Sequence, residues 1–146
     1  MHLGDLGNPL TNEQLDRLRG KVDILLALTG GPPTIELEDL DRAIEEIAPR
    51  IVIPMHYQIP RLKLDILPLE AFTSRYPQGA ITRVGSAEVG LSQSTLPRTL
   101  SIYVLDPAGE RMTPVTSGGV GPWRLLLGQE LEVSSTARRA ERGVAR

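Results

Sequence analysis

The chain has 146 residues, of which 40% are hydrophobic and 23% charged, with a net charge of −2. That balance reads as one soluble globular domain with a single core, and it lacks the basic footprint of a nucleic-acid-binding protein. No apolar run reaches the roughly 18 residues of a membrane span, and a chain without cysteine has neither a disulfide framework nor a thiolate zinc site. With no charged segment leading into an apolar one at the start, a cytoplasmic protein is expected. Aromatics are only 3%, so Leu, Ile and Val must build the core.

In chain order, His2-Leu3-Gly4-Asp5-Leu6-Gly7 comes first, a polar motif of the kind found where a strand meets a loop. Leu10 to Leu18 reads as a short helix. Thr11 is a good N-cap and Gln14, three residues on, completes a capping-box pattern. Leu15 and Leu18 would face inward, and Gly20 is placed to end the helix. Val22 to Leu28 (VDILLAL) is nearly continuous in apolar residues, as are parallel strands covered on both faces. Thr29-Gly30-Gly31-Pro32-Pro33 cannot extend that strand and forms a loop. Glu36 to Ala48 carries Leu37, Leu40, Ile44 and Ile47 on one helical stripe. Acidic residues in its first turns suit the helix dipole, and Pro49 stops it.

Arg50 to Met55 is the next buried strand. The order β-α-β-α-β with short connections predicts a parallel sheet with right-handed crossovers. A loop follows over Gln58 to Leu64, then a short helix from Leu69 to Arg75. Ile81 to Val84 and Leu100 to Leu105 are further strands. Periodic apolar content then falls away, and the closing segment is rich in Arg, Ala, Ser and Gly. The expected organisation is a folded domain over 1–106 and a flexible extension over 107–146. Within that extension, Trp123 and Leu125 to Leu127 could form a small docking patch.

Three residues carry the candidate chemistry. Asp5 could ligate or bridge metal ions, or could be a turn aspartate bonded to nearby backbone N–H groups. His56, at the end of the run Ile51 to Met55, could be a metal ligand or a satisfied strand-end histidine. His2, three residues before Asp5, could support the site by hydrogen bonding, or be an ordinary N-terminal residue. In open α/β sheets, ligand sites form outside the carboxyl ends of the strands, and Asp5 and His56 both stand at such ends. The Gly30-Gly31 loop lacks the lysine and spacing of a phosphate-binding loop. It reads as a loop shaped to pass near the site.

The stretches HLGDLGNPLTNEQL, VDILLALTGGPPTIE and APRIVIPMHYQIPRLKLDILPLEAF together resemble the C-terminal half of metallo-β-lactamase-fold hydrolases. The nearest resemblance is to the Zn-dependent group related to ascorbate-6-phosphate lactonases. It runs from His2 to Phe72 and more weakly to Leu105. It implies an α/β fold, half of an αββα sandwich, with a βαβαβ core and additional strands. It implies that Asp5 and His56 are metal ligands, for Zn or Mn, with His2 nearby as a supporting or substrate-contacting residue. Asn8 stands where relatives often have His.

The family's His-x-His-x-Asp-His ligand cluster does not occur in this sequence, which has only two histidines. The resemblance therefore implies a partial hydrolase, inactive alone, with a truncated gene, an altered reading frame or a fused extension each left open as its origin. Two other readings stay open. The chain could be half of a split enzyme completed by another chain, or a non-catalytic interaction scaffold. Expected partners are a second copy or the missing N-terminal half, and a small-molecule substrate the sequence does not specify. Nucleic acid and membrane are not expected.

Overall fold

The computed structural model describes residues 1–108, so the extension expected over 107–146 lies, beyond Ala108, outside the described residues. Within them is a four-stranded parallel sheet in the order β1-β2-β4-β3. The strands are β1 (Ile24–Leu28), β2 (Ile51–Met55), β3 (Ile81–Arg83) and β4 (Ser101–Val104). The helices are α1 (Asn12–Leu18), α2 (Leu37–Ile47) and α3 (Leu69–Thr73).

The chain start adds a short fifth rung beside β1. Leu3 N–H donates to Leu26 O at 3.2 Å, Leu26 N–H to Met1 O at 2.9 Å, and the terminal amine of Met1 to Ile24 O at 2.7 Å. His2 thereby pairs in parallel with Leu26. The expected β-α-β-α-β order is present, with Met1–Leu3 in the place of its first strand.

Boundaries shift by one or two residues at several ends. Leu10 lies outside α1 because Thr11 is the N-cap: its hydroxyl accepts from Gln14 N–H while Gln14 Oε1 accepts from Thr11 N–H. Val22 and Asp23 precede β1, where Asp23 O accepts from the N–H groups of both Arg50 and Ile51. The predicted helix over Glu36 to Ala48 begins at Leu37. It ends because Ala48 turns left-handed (φ 54°) and returns its N–H to Ile44 O, one residue before Pro49. The helix expected to reach Arg75 stops at Thr73 and is finished by turn hydrogen bonds from Arg75 and Tyr76.

β4 and the start of β1 alternate in burial, whereas Ile51 and Val52 of β2, on opposite faces, are both fully buried. Leu25, Ala27, Val52, Ile102 and Val104 join Leu37, Leu40 and Ile44 of α2 and Leu69 and Phe72 of α3 in the main core. Burying each of the Leu, Ile, Val and Phe side chains contributes roughly 1.5–3 kcal/mol relative to leaving it in water. Leu15 of α1 packs with Ala43 and Ile47 in a second cluster. Ile24, Leu26, Ile53 and Tyr103 alternate onto the opposite face of the sheet. They are half-buried and belong to neither cluster.

Candidate metal edge

Register places the candidate residues. His2 pairs with Leu26, and Leu26 with Ile53. Val52 pairs with Ile102, so the next step sets Ile53 level with Tyr103. Three residues beyond that row, on four neighbouring strands, stand Asp5, Thr29, His56 and Asp106. The strands run parallel, so all four occupy the carboxyl edge of one sheet, where ligand sites form in such folds. Asp5 and His56 are two strand spacings apart, roughly 10 Å between strand axes. The strand between them ends in Gly30-Gly31, which interposes no side chain.

Asp5 is exposed in a tight turn in which Gly4 takes φ 61° and Leu6 N–H donates to Leu3 O at 3.3 Å. His2 holds that turn: its Nδ1 accepts from Gly4 N–H at 2.7 Å. A neutral imidazole accepting at Nδ1 carries its proton on Nε2. In this geometry His2 shapes the Asp5 turn and offers no lone pair to a metal. The base of the turn is tied to the loop after β1, where Ile35 N–H donates to Leu6 O at 2.8 Å.

His56 is held from three sides. Thr29 N–H and hydroxyl both donate to Met55 O, at 2.9 and 3.3 Å. Leu67 N–H donates to Gly30 O at 2.8 Å, and Gln58 N–H to Leu67 O at 2.9 Å. Gly30 itself lies against the His56 carbonyl. Between these ties His56 adopts a left-handed backbone, φ 54°. Such a conformation is uncommon for a residue with a side chain and clusters at functional sites. The imidazole Nδ1 is buried without a hydrogen-bond partner, as is Oε1 of Gln58, whose amide nitrogen donates to Leu62 O at 2.8 Å.

An open cavity of about 340 Å³ lies beside His56. Met55, Ile59 and Leu62 line it together with Tyr57, Leu105 and Asp106. A second cavity, of about 390 Å³, is lined by Gly30, Glu36, Asp65 and Leu67. The loop after β1 does pass the site, as the sequence suggested. Asp106, which lines the first cavity, was not singled out from the sequence. It lies just past the apolar strand TLSIYVL, and the pairing of β4 with β2 brings the two strand ends to the same edge.

The donor set suits a divalent transition metal in part. Carboxylate oxygen and neutral imidazole are ordinary zinc ligands. Asp5 is solvent-exposed and His56 lines an open cavity. No group of three or more His, Asp or Glu side chains gathers closely enough to enclose an ion among the described residues.

Comparison with known proteins agrees with this architecture. Residues 1–56 match the beta-lactamase superfamily domain. A UPF0173 protein of Pyrococcus furiosus is 42% identical over 52 residues, covering 36% of this chain and 25% of that protein. A UPF0173 protein of Pyrococcus abyssi is 40% identical over the same length and shares. A crystal structure from Thermotoga maritima, presented as a candidate Zn-dependent hydrolase of the metallo-β-lactamase superfamily, superposes with a TM-score of 0.59 at 30% identity. That match covers 70% of this chain and 50% of the Thermotoga chain. The fold is of metallo-β-lactamase type, and residues 1–56 are similar to the domain of that superfamily. The chain matches about a quarter of the length of the two curated relatives and half of the solved one. No described helix is long and apolar enough to cross a membrane.

Proposed function

We propose that this chain supplies part of a metal-dependent hydrolytic centre in which Asp5 and His56 are ligands. The observation that carries the reading is the row Asp5–Thr29–His56 along one carboxyl edge, set by the His2–Leu26–Ile53 register. A bound zinc or manganese ion would lower the pKa of its water and polarise the scissile group of a small-molecule substrate. Asp5 would contribute charge from a preformed turn, and His56 an imidazole fixed by Gly30, Thr29 and Leu67.

A catalytic zinc takes about three protein ligands and keeps one open position. On this reading the chain is inactive by itself, and further ligands come from another segment or another chain. The half-buried sheet face of Ile24, Leu26, Ile53 and Tyr103 supports completion by a second layer. A split hydrolase completed by another chain is therefore the form we favour over a non-catalytic scaffold. A cytoplasmic setting belongs to the same reading and is supported by a chain free of cysteine.

Zinc calorimetry on the full chain, its Asp5→Asn variant and its His56→Asn variant tests the proposal. Weak binding by the parent, lost in both variants, is expected. Parent-like affinity in both variants would remove the reading.

A further inference from the structure

Ile59, Leu62 and Leu105 are apolar and half-buried, yet among the described residues they belong to neither core cluster and pack against neither. They meet instead around the open cavity of about 340 Å³ beside His56. Part of that lining is braced. Leu62 N–H donates to Ile59 O at 2.9 Å, and the Gln58 amide nitrogen donates to Leu62 O at 2.8 Å, which holds the turn from Ile59 to Leu62 in shape. Met55 and Tyr57 also line the cavity and pack against the main core, tying it to the folded body. Apart from His56 and Asp106, every described lining side chain is apolar or aromatic, and no lysine or arginine is among them.

Apolar walls with a few polar groups at one side are the usual make-up of a small-molecule pocket. A cavity of about 150 Å³ takes benzene, so this one has room for roughly ten carbon atoms. Side chains that serve no core gain by covering an apolar ligand, since each methylene buried adds to affinity. A carboxylate or phosphate would find no cationic side chain here to offset its lost hydration. We propose that the cavity takes the apolar part of an uncharged ester or amide, a group of about five to ten carbon atoms, and presents the scissile carbonyl at the edge where His56 stands. The proposal rests on the hydrolytic reading of that edge and adds to it the class of substrate.

The test titrates the ¹⁵N-labelled full chain, in metal-free buffer, with acetamide, butanamide and hexanamide, and with hexanoate as the charged counterpart. Hexanamide should shift the amide signals of Ile59, Leu62 and Leu105. Affinity should rise about threefold for each methylene added along the series, on the scale of burying that group. Hexanoate should bind about fivefold more weakly than hexanamide or worse, for want of a cation. Leu62→Ser should weaken hexanamide by about fivefold through lost apolar contact, and should keep the parent's spectrum elsewhere, because Leu62 lies outside both cores. Affinity that is flat along the series, shifts that miss these three residues, or unchanged affinity in Leu62→Ser would overturn the proposal. Hexanoate binding as tightly as hexanamide would overturn the uncharged class. Zinc calorimetry separates the two readings. If zinc is lost in Asp5→Asn and His56→Asn while the amides fail to bind, the metal edge stands without this substrate. If the chain-length dependence holds while zinc fails, the cavity is an apolar ligand site and its hydrolytic role falls.

Discussion

A Cβ placed on Gly30 would stand 2.2 Å from the carbonyl oxygen of His56. No side chain fits there without moving backbone, because the atom it meets is main chain and cannot swing aside. The contact is made where β1 and β2 end together, with Thr29 N–H bound to Met55 O and Gly30 O bound to Leu67 N–H. Gly30 has an ordinary backbone conformation, so its requirement is space. Gly30→Ala should therefore cost about 3 kcal/mol, at the upper end for overpacking, and should shift the amide resonances of His56 and Tyr57. Gly79→Ala is the control, since nothing lies within 4 Å of the added carbon. Chemical denaturation of the two variants should separate them clearly, and equal stability would mean the loop after β1 yields freely.

Local chemistry was legible in the sequence. Thr11 and Gln14 form the capping box their spacing announces. The stripe Leu37, Leu40, Ile44 and Ile47 is buried as its period requires. Asp5 and His56 could be picked out because each ends an apolar or glycine-bounded stretch. What could not be read was which strand ends are neighbours. The order β1-β2-β4-β3 sets the end of β4 beside the end of β2, and no local pattern encodes that order. The strands also looked apolar on both faces. Alternation hides in VDILLAL because Leu and Ile serve equally on a buried face and a half-buried one. A supporting hydrogen bond from His2 was among the readings of the sequence, but its partner, Gly4 N–H, was not legible, since the bond depends on the left-handed turn at Gly4.

The capping box gives a second prediction. Thr11 satisfies an N–H at the start of a helix of only seven residues, which packs on α2 largely through Leu15. Thr11→Ala should destabilise the fold by about 1 kcal/mol. Thr11→Ser should recover most of that, since the hydroxyl is what accepts the bond. Thermal melts of the three proteins would show the order. A Thr11→Ala variant as stable as the parent would mean α1 is not part of the cooperative unit.

The alkaline limit of stability should be set in part by Tyr76. Burial pushes its phenol far above the usual tyrosine value, and the hydrogen bond from its hydroxyl to Asp41 at 2.8 Å pushes it further the same way. The folded state holds the proton that the unfolded chain releases near its ordinary value of 10.0. The stabilisation is therefore complete below that pH and is lost progressively above it. Tyr76→Phe should lower stability at pH 7 by about 1–2 kcal/mol, the worth of a hydrogen bond to a charged acceptor. It should also flatten the decline between pH 10 and 11. If the parent and the variant lose stability in parallel over that range, Tyr76 is not the group responsible.

The last prediction separates stability from function at two backbone positions. Ala48 and His56 are the described non-glycine residues with positive φ, each at 54°. At Ala48 the conformation ends α2 and glycine would adopt it at less cost. Ala48→Gly should therefore stabilise the fold, by about 0.5–1 kcal/mol on the scale of well-placed backbone substitutions. His56 is strained in the same way, yet its side chain contributes no hydrogen bond to the fold and leaves Nδ1 buried and unmatched. Asparagine tolerates the left-handed region well. His56→Asn should therefore stay within about 1 kcal/mol of the parent, as changes at sites kept for function often do. Zinc binding should be lost in that variant and unchanged in Ala48→Gly. Melting temperature and zinc affinity, measured on both proteins, give the contrast. A large loss of stability in His56→Asn with zinc binding retained would make His56 a packing residue and leave its backbone strain without a functional account.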